Sequence, residues 1–366
     1  MAKKNKENES EDLPQDDSSG KKNNDKKDEN PKSKEDLEKD FALNAGSTPE
    51  PKKPVLFKDK KEFSIDELRK SLGNLEAKYK PDSWIPMSIA FQETTQLPGI
   101  PQGAMTMAFG HSDTGKSTMG LEIIKGCKEK GVLPIVINTE KKWNWDRVKE
   151  FGIEPSDVLY IDNCENVEAV ADMIKSILKK QADGDIRKDI MFIWDSIGNS
   201  ISKAEMDADE TGDSTAMMLT AKVINQQFFR IIEKKISATR RENFPYFASL
   251  FCITHAYISG QSLVYYGGEG IFKGSTLVFR IGGVIGKATD VYATKQGVDI
   301  AFAKKTQIVT IKNHITNVKA KGTIICVHNG FIKDDKSTID EYKKAYRDDW
   351  EIKFTADWEK YNKDSK

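Results

Sequence analysis

Residues 110–117 read GHSDTGKS, a match to GxxxxGK[ST] set between the apolar run MTMAF (105–109) and a helical stretch from about Lys116 to Lys130. A strand-to-helix turn of this kind is what phosphate binding needs. Gly110 and Gly115 let the backbone curl, so that the N–H groups of His111, Ser112, Asp113 and Thr114 can point inward at an anion. The helix N-terminus adds partial positive charge, and the Lys116 ammonium brings a full one to the β- and γ-phosphates. The Ser117 hydroxyl suits a coordinated Mg2+, with Thr118 beside it in the first helical turn. The spacing predicts binding of ATP or GTP together with Mg2+.

Two carboxylates stand where such a site would use them. Asp195 ends the apolar run DIMFIWD (189–195). It can hold the Mg2+ shell through water, although an aspartate at a strand end also serves as an ordinary turn cap. Glu140 directly follows VLPIVINT (132–139), the run after the phosphate-loop helix. A carboxylate at the edge of a neighbouring strand can activate an attacking water.

The elements that must position these groups alternate along the chain. VLYID (158–162) and ASLFCITH (248–255) are further apolar runs, and helices are expected over 145–151, 167–181 and about 215–240. This βαβα order, with strands apolar on both faces, predicts an α/β fold with a mostly parallel sheet covered by helices on both sides. From about Val291 the pattern changes, and VDIAFA, IVTIKN and GTIICVH are expected as shorter antiparallel strands at one edge. Upstream, SIDELRKSLGNLEAKY (64–79) reads as a helix, with Ser64 and Glu67 as a capping box and Leu68, Leu72 and Leu75 on one stripe. That stripe suits packing on the parent domain or docking on a neighbouring subunit.

Composition narrows the class. Residues 1–60 are almost all Lys, Asp, Glu, Asn, Ser and Pro, too polar to offset the entropy of ordering them, and are expected to form a disordered tail. The remaining roughly 300 residues can bury a core. Formal net charge is +0, so bulk charge announces no nucleic-acid module and any such site must be a local patch. The 4 cysteines, Cys127, Cys164, Cys252 and Cys326, are widely spaced with no CxxC pair, as expected of reduced, mostly buried thiols. No signal-like segment and no run of about 20 apolar residues appears, so a cytoplasmic protein without membrane association is expected.

Taken together, these residues resemble the RecA family, and especially the phage UvsX strand-exchange recombinases, from about Trp84 to Phe331. Beside the phosphate loop, the resemblance rests on WIPMSIA (84–90), DSIGNSISKAE (195–205), KAEMDADETGDS (203–214), FCITHAY (251–257), YYGGEGIFKGS (265–275) and IKN (311–313), in that order. It implies a RecA-like P-loop ATPase core over 83–333, preceded by the tail (1–60) and a helical oligomerisation segment (61–82), and followed by a charged segment (334–366). The implied activity is ATP- and Mg2+-dependent: a filament, built by head-to-tail self-association on single-stranded DNA, pairs with homologous duplex DNA and exchanges strands. Single-strand-binding and loader proteins are implied partners, and a bacterial host cytoplasm is the implied location for a phage protein.

The same resemblance assigns further roles. Asn144 matches the position that hydrogen-bonds the adenine. The stacking position falls on Arg147, with Trp143 and Trp145 close by. His255 is implied to face the γ-phosphate and report ATP to a DNA loop. Lys312 is implied to reach a neighbouring subunit's ATP as a catalytic group, and the second such basic position falls at His314. The segment from Tyr257 to Ser275 resembles the second DNA loop. Its Tyr257, Tyr265, Tyr266, Gly267, Gly268, Lys273 and Ser275 supply the aromatic faces, backbone donors and cations that suit sequence-blind single-strand binding. Nearly 20 residues without evident structure also argue for function there. The first loop, about 202–214, is acidic, and Gly212 and Ser214, with Lys222 behind them, are its candidate contacts.

Two other classes share these motifs. A hexameric helicase motor of the DnaB kind has the phosphate loop, Glu140 and Asp195, but would carry a late-strand arginine where this chain offers Lys312. A non-catalytic recombination mediator would not need Lys116, Ser117, Glu140 and Asp195 together.

Overall fold

Strands apolar on both faces are stable only inside a sheet that is covered on both sides, and the central strands of this protein are arranged in that way. The computed structural model describes residues 64–72, 78–211, 219–224, 228–259, 262–283, 288–295 and 297–345. The expected tail (1–60), Gly212, Ser214 and most of the charged C-terminal segment lie outside the described residues.

The chain divides into two units, Met1–Ser71 and Leu72–Lys366. The described part of the first is essentially α1 (Ile65–Leu72), whose Glu67 N–H donates to Ser64 Oγ at 3.4 Å. The helix expected to reach Tyr79 does not do so. Around Lys78–Lys80 the chain is extended and bonded to another segment, with Lys80 N–H donating to Arg240 O and Glu242 N–H to Lys78 O.

The second unit runs β1 (Trp84–Pro86), α2 (Ile89–Thr95), β2 (Gly99–Pro101), β3 (Met105–Gly110), α3 (Lys116–Lys130), β4 (Leu133–Asn138), α4 (Trp145–Glu150), β5 (Leu159–Ile161), α5 (Val167–Ala182), β6 (Ile190–Asp195), α6 (Lys203–Thr211), α7 (Leu219–Val223), α8 (Phe229–Ala238) and β7 (Ala248–Ser259). It continues through β8 (Ser262–Tyr265), α9 (Glu269–Gly274), β9 (Leu277–Ile281), β10 (Thr289–Lys295), β11 (Val298–Asn313), β12 (Lys321–Val327) and β13 (Gly330–Lys333), with α10 over 336–345. The main sheet has the order β13-β12-β11-β9-β3-β7-β6-β4-β5. Strands β9, β3, β7, β6, β4 and β5 are mutually parallel, whereas β11, β12 and β13 add antiparallel at one edge. β10 pairs with β11 and β8 with β7, both antiparallel.

Alternate residues of the central strands feed two cores. On one face Ala108, Val136, Ile193, Ile253 and Phe279 pack with α3 through Met119, Ile123 and Cys127. On the other, Met107, Ile137, Phe192, Trp194 and Cys252 pack with Val170 and Ile174 of α5 and Phe229, Ile232 and Ile236 of α8. Helix α3 is also fixed by a buried carboxylate. Glu122 accepts the N–H groups of Ser88 (3.2 Å) and Phe331 (2.7 Å), tying the approach to the phosphate loop and the last strand to one side chain. Burial raises its pKa, and the two N–H groups oppose the rise.

Three expectations change in detail, and a fourth is only partly described. The acidic stretch after Ser202 is helical over Lys203–Thr211, since Ala, Glu and Met favour helix despite the charge. The long helix expected over 215–240 lies partly outside the described residues, and its described parts, α7 and α8, are helical as expected. The run VDIAFA and the run IVTIKN are one strand, β11. The segment 257–275 is structured: β7 continues to Ser259, returns as β8, and leads into α9. Tyr, Ile and Val in AYIS and SLVY suit that paired, half-buried surface.

Candidate nucleotide site and aromatic arm

The phosphate loop is held open by contacts only glycine permits. A Cβ on Gly110 would stand 1.9 Å from Ile281 O, and one on Gly115, where φ is +100°, would stand 2.4 Å from Cys326 Sγ. Thr114 is buried, and its hydroxyl donates to His111 O at 2.9 Å, bracing the turn. Lys116 Nζ donates to His111 O at 2.6 Å. Burial lowers the Lys116 pKa to about 8, against the opposing pull of Asp195, Glu140 and Asp113.

Parallel pairing brings the other groups to the same edge. Asn138 is the register partner of Asp195, and Gly110 that of His255. Ser117 Oγ donates to Asp195 Oδ2 at 2.9 Å. Burial raises the Asp195 pKa, opposed first by the Ser117 bond. Glu140 Oε1 accepts from Ser196 Oγ at 2.6 Å and lies 2.5 Å from His255 Nε2. Those bonds, His255 foremost, hold the Glu140 carboxyl at about 2. His255 was expected at a strand end, yet it stands inside β7, four residues before its end.

A cavity of about 490 Å³ joins Ser112–Thr118, Glu140, Asn144, Arg147, Asp195 and His255, a size suited to a nucleotide. Arg147 Nη2 donates to Thr118 Oγ1 at 2.8 Å. Asn144 caps α4, its Oδ1 accepting the Asp146 and Arg147 N–H groups, a cap that does not use its amide hydrogens. Trp145 is turned elsewhere. It packs edge-on against Trp143 and Tyr160 and lines an adjoining cavity with Lys141 and Cys164. The far wall was not foreseen: Asp290, Phe302, Lys304, Cys326 and His328 line it from β10, β11 and the end of β12. Only long-range pairing brings them there, and no local motif marks them.

The residues fit the groups the motif implies. The cradle excludes any Cβ at Gly110 and Gly115, and Ser117 with Asp195 offers two hard oxygen donors, the kind Mg2+ takes.

β7 leads directly from this site to an exposed aromatic pair. Tyr257 and Tyr266 are 42% and 49% exposed, with ring centroids 4.9 Å apart. Tyr266 N–H donates to His255 O at 3.0 Å, and Thr254 Oγ1 donates to Tyr266 O at 2.9 Å. The other candidates in this arm are placed differently. Tyr265 faces inward, against Phe109 and stacked on Phe272. Gly267 and Gly268 have φ of +93° and +74° and form the turn into α9. Lys273 is exposed and pairs with Glu269. Ser275 is buried, its hydroxyl donating to Ile271 O at 2.7 Å, so as placed it offers no contact surface. Lys222 is exposed on α7.

Lys312 lies outside the cavity of its own chain. Its Nζ donates to Phe272 O at 2.9 Å and Lys273 O at 3.0 Å, closing the C-terminus of α9, and sits 5.4 Å from the Phe272 ring centroid. Burial lowers its pKa. His314 is exposed just beyond β11.

The family model of the RecA N-terminal domain matches residues 58–245, half of the chain. The chain belongs to the RecA family. It is similar to Protein RecA of Campylobacter lari, 26% identical over 138 residues (38% of each chain), and to that of Aquifex aeolicus, 23% identical over 156 residues (39% of this chain, 43% of the relative). The aligned part thus spans about two fifths of these relatives. The RecA-family match takes in the phosphate loop, Glu140 and Asp195, whereas His255, the aromatic arm and Lys312 lie beyond it. Among the described residues, no helix is long and apolar enough to cross a membrane.

Proposed function

We propose that this RecA-family chain is an ATP-driven DNA strand-exchange recombinase, similar to the UvsX kind, that assembles head to tail on single-stranded DNA and pairs it with homologous duplex. The observation that carries the reading is the course of β7. One strand takes His255 past Glu140 and continues into Tyr257, whose ring meets Tyr266. A nucleotide site and a stacking surface for bases are thereby joined by one rigid element.

In this reading the phosphate loop and Lys116 bind the phosphates, and Ser117 and Asp195 hold Mg2+, which supplies charge neutralisation when bound. Asn144 and Arg147 meet the base. Glu140 orients and deprotonates the attacking water, once its contacts with His255 and Ser196 rearrange. Lys312 of one subunit completes the site of the next. Single-strand-binding and loader proteins would be its partners, and the cytoplasm, of a bacterial host if the protein is phage-encoded, its location. The test is electron microscopy and a strand-exchange assay with ATP, Mg2+ and single-stranded DNA. Helical filaments with joint-molecule formation are the expected result. Closed rings, or filaments without strand exchange, would overturn it.

A further inference from the structure

The cations around the nucleotide cavity differ in what they already hold. Lys116 Nζ donates to His111 O, Arg147 Nη2 to Thr118 Oγ1, and Lys142 Nζ lies 3.7 Å from Glu140 Oε2. On β11, Lys305 is paired with Asp334 at 2.6 Å. Its neighbour Lys304 points the other way, as alternation along a strand requires. Lys304 is half-buried and lines the cavity, and its Nζ makes neither a hydrogen bond nor an ion pair among the described residues. Asp290, its register partner on β10, lines the same wall. An ammonium held on a concave wall with three donors and no acceptor is suited to an anionic oxygen brought by a ligand.

Its place in the sheet says which oxygen. Lys304 is also the register partner of Cys326 on β12, and Cys326 Sγ lies 4.0 Å from Thr114 O, under the loop just before α3 begins. Glu140 and Asp195 follow or end β4 and β6, which lie on the opposite side of β3 in the strand order. The β11–β12 wall is therefore the side away from the water-activating carboxylate. A nucleotide whose γ-phosphate faces Glu140 turns its α- and β-phosphates toward this wall.

We propose that Lys304 is a nucleotide-binding residue acting within its own subunit, on the α- or β-phosphate. The inference rests on the nucleotide-site reading above and adds a contact from the C-terminal strands to it. Because the α- and β-phosphates are common to ATP and ADP, Lys304 would set affinity for both, unlike a γ-phosphate contact.

The experiment is equilibrium titration of the full chain with ATP and with ADP in Mg2+, for the parent, Lys304→Met, Lys304→Arg, Lys305→Met and Lys116→Ala. One charge-assisted hydrogen bond corresponds to about tenfold in affinity. Lys304→Met should weaken ATP and ADP alike by about that factor, Lys304→Arg should recover most of it, and Lys305→Met should bind as the parent does. If Lys116→Ala loses binding while Lys304→Met binds like the parent, the Lys304 assignment fails and the site reading stands. If Lys304→Met weakens ATP but not ADP, the placement on the α- or β-phosphate is wrong. A loss that arginine does not restore, with a lowered melting temperature, would mean a structural role and would also overturn the assignment. If Lys116→Ala itself binds normally, the nucleotide-site reading fails, and this inference with it.

Discussion

His255 Nε2 and Glu140 Oε1 lie 2.5 Å apart, and the same carboxylate oxygen accepts the Ser196 hydroxyl at 2.6 Å. The group assigned to activate water is thus engaged by the strand that carries the aromatic arm. In the proposed role this carboxylate must turn to a water, which would couple movement of β7 to readiness for hydrolysis through one contact. His255→Ala should uncouple them, raising ATP turnover without DNA relative to turnover with DNA. An unchanged ratio in a steady-state ATPase assay would show that the contact has no regulatory weight.

The pH dependence of stability gives a second check. Glu140 titrates at about 2 in the folded chain, below its ordinary 4.5, mainly because of the His255 bond. A depressed carboxyl contributes stability above its ordinary value and loses it as pH falls through the folded one. His255→Ala should therefore lower the melting temperature near neutral pH, and the gap to the parent should close as pH drops from 4.5 toward 2. A gap that stays constant over that window would assign the loss to packing.

Lys116 and Glu140 should fail differently. Lys116→Ala should abolish nucleotide affinity. Glu140→Gln should keep ATP and DNA binding but slow turnover by roughly 10²- to 10⁴-fold, the usual weight of a general base. Equal loss of ATP binding in both, measured by titration, would refute the role given to Glu140.

On the aromatic arm, Tyr257→Ala and Tyr266→Ala should each weaken single-strand binding by about 1–3 kcal/mol with little dependence on base sequence. Lys273→Ala should instead reduce the salt slope of binding by about one, as expected for a lost phosphate contact. Fluorescence anisotropy over a salt series separates the two effects. Parent-like behaviour of all three variants would remove the arm from the DNA site.

Lys312 has two acceptors within its own subunit, Phe272 O and Lys273 O. To reach a neighbour's nucleotide it must leave them, which would loosen the end of α9. Mixing Lys116→Ala with Lys312→Ala should restore DNA-stimulated ATPase, because about a quarter of head-to-tail interfaces would pair intact groups. If both variants assemble on DNA and mixing restores nothing, the site is not shared. Amide exchange of residues 269–275 should also quicken in Lys312→Ala.

Much of this was legible in the sequence because it is local. GHSDTGKS, the apolar runs at 132–139 and 189–195, and Glu140 and Asp195 at their ends are contiguous signals, and the structure brings them to one sheet edge. What was hidden depends on partners far away in the chain. The pairing of Gly110 with His255 joins two strands that β4, β5 and β6 separate in the chain, and Lys304 and His328 reach the cavity only through the register of β11 and β12. The segment 257–275 was read as irregular because its glycines suggested a loop. Yet Ala256 pairs with Tyr265 and Tyr257 with Val264, making most of it an arm. Ser275 shows the limit of composition: a serine beside a glycine-bearing loop suggests a phosphate contact, but burial commits its hydroxyl to Ile271.

The floor under Gly115 is Cys326, and the buried carboxylate of α3 is answered by Phe331. During synthesis the phosphate loop leaves the ribosome roughly 200 residues before either of them, so the nascent chain carries the motif long before it has the wall. Strands β4 to β6 can pair early, but β3 joins them only through β7 and keeps an unpaired edge until β9 arrives, and the cavity stays one-sided until β12 closes it. Order of emergence thus delays closure of the cavity until β12 has been made, and a transcript truncated after the family-matched segment would keep the GHSDTGKS loop without the wall that closes over it.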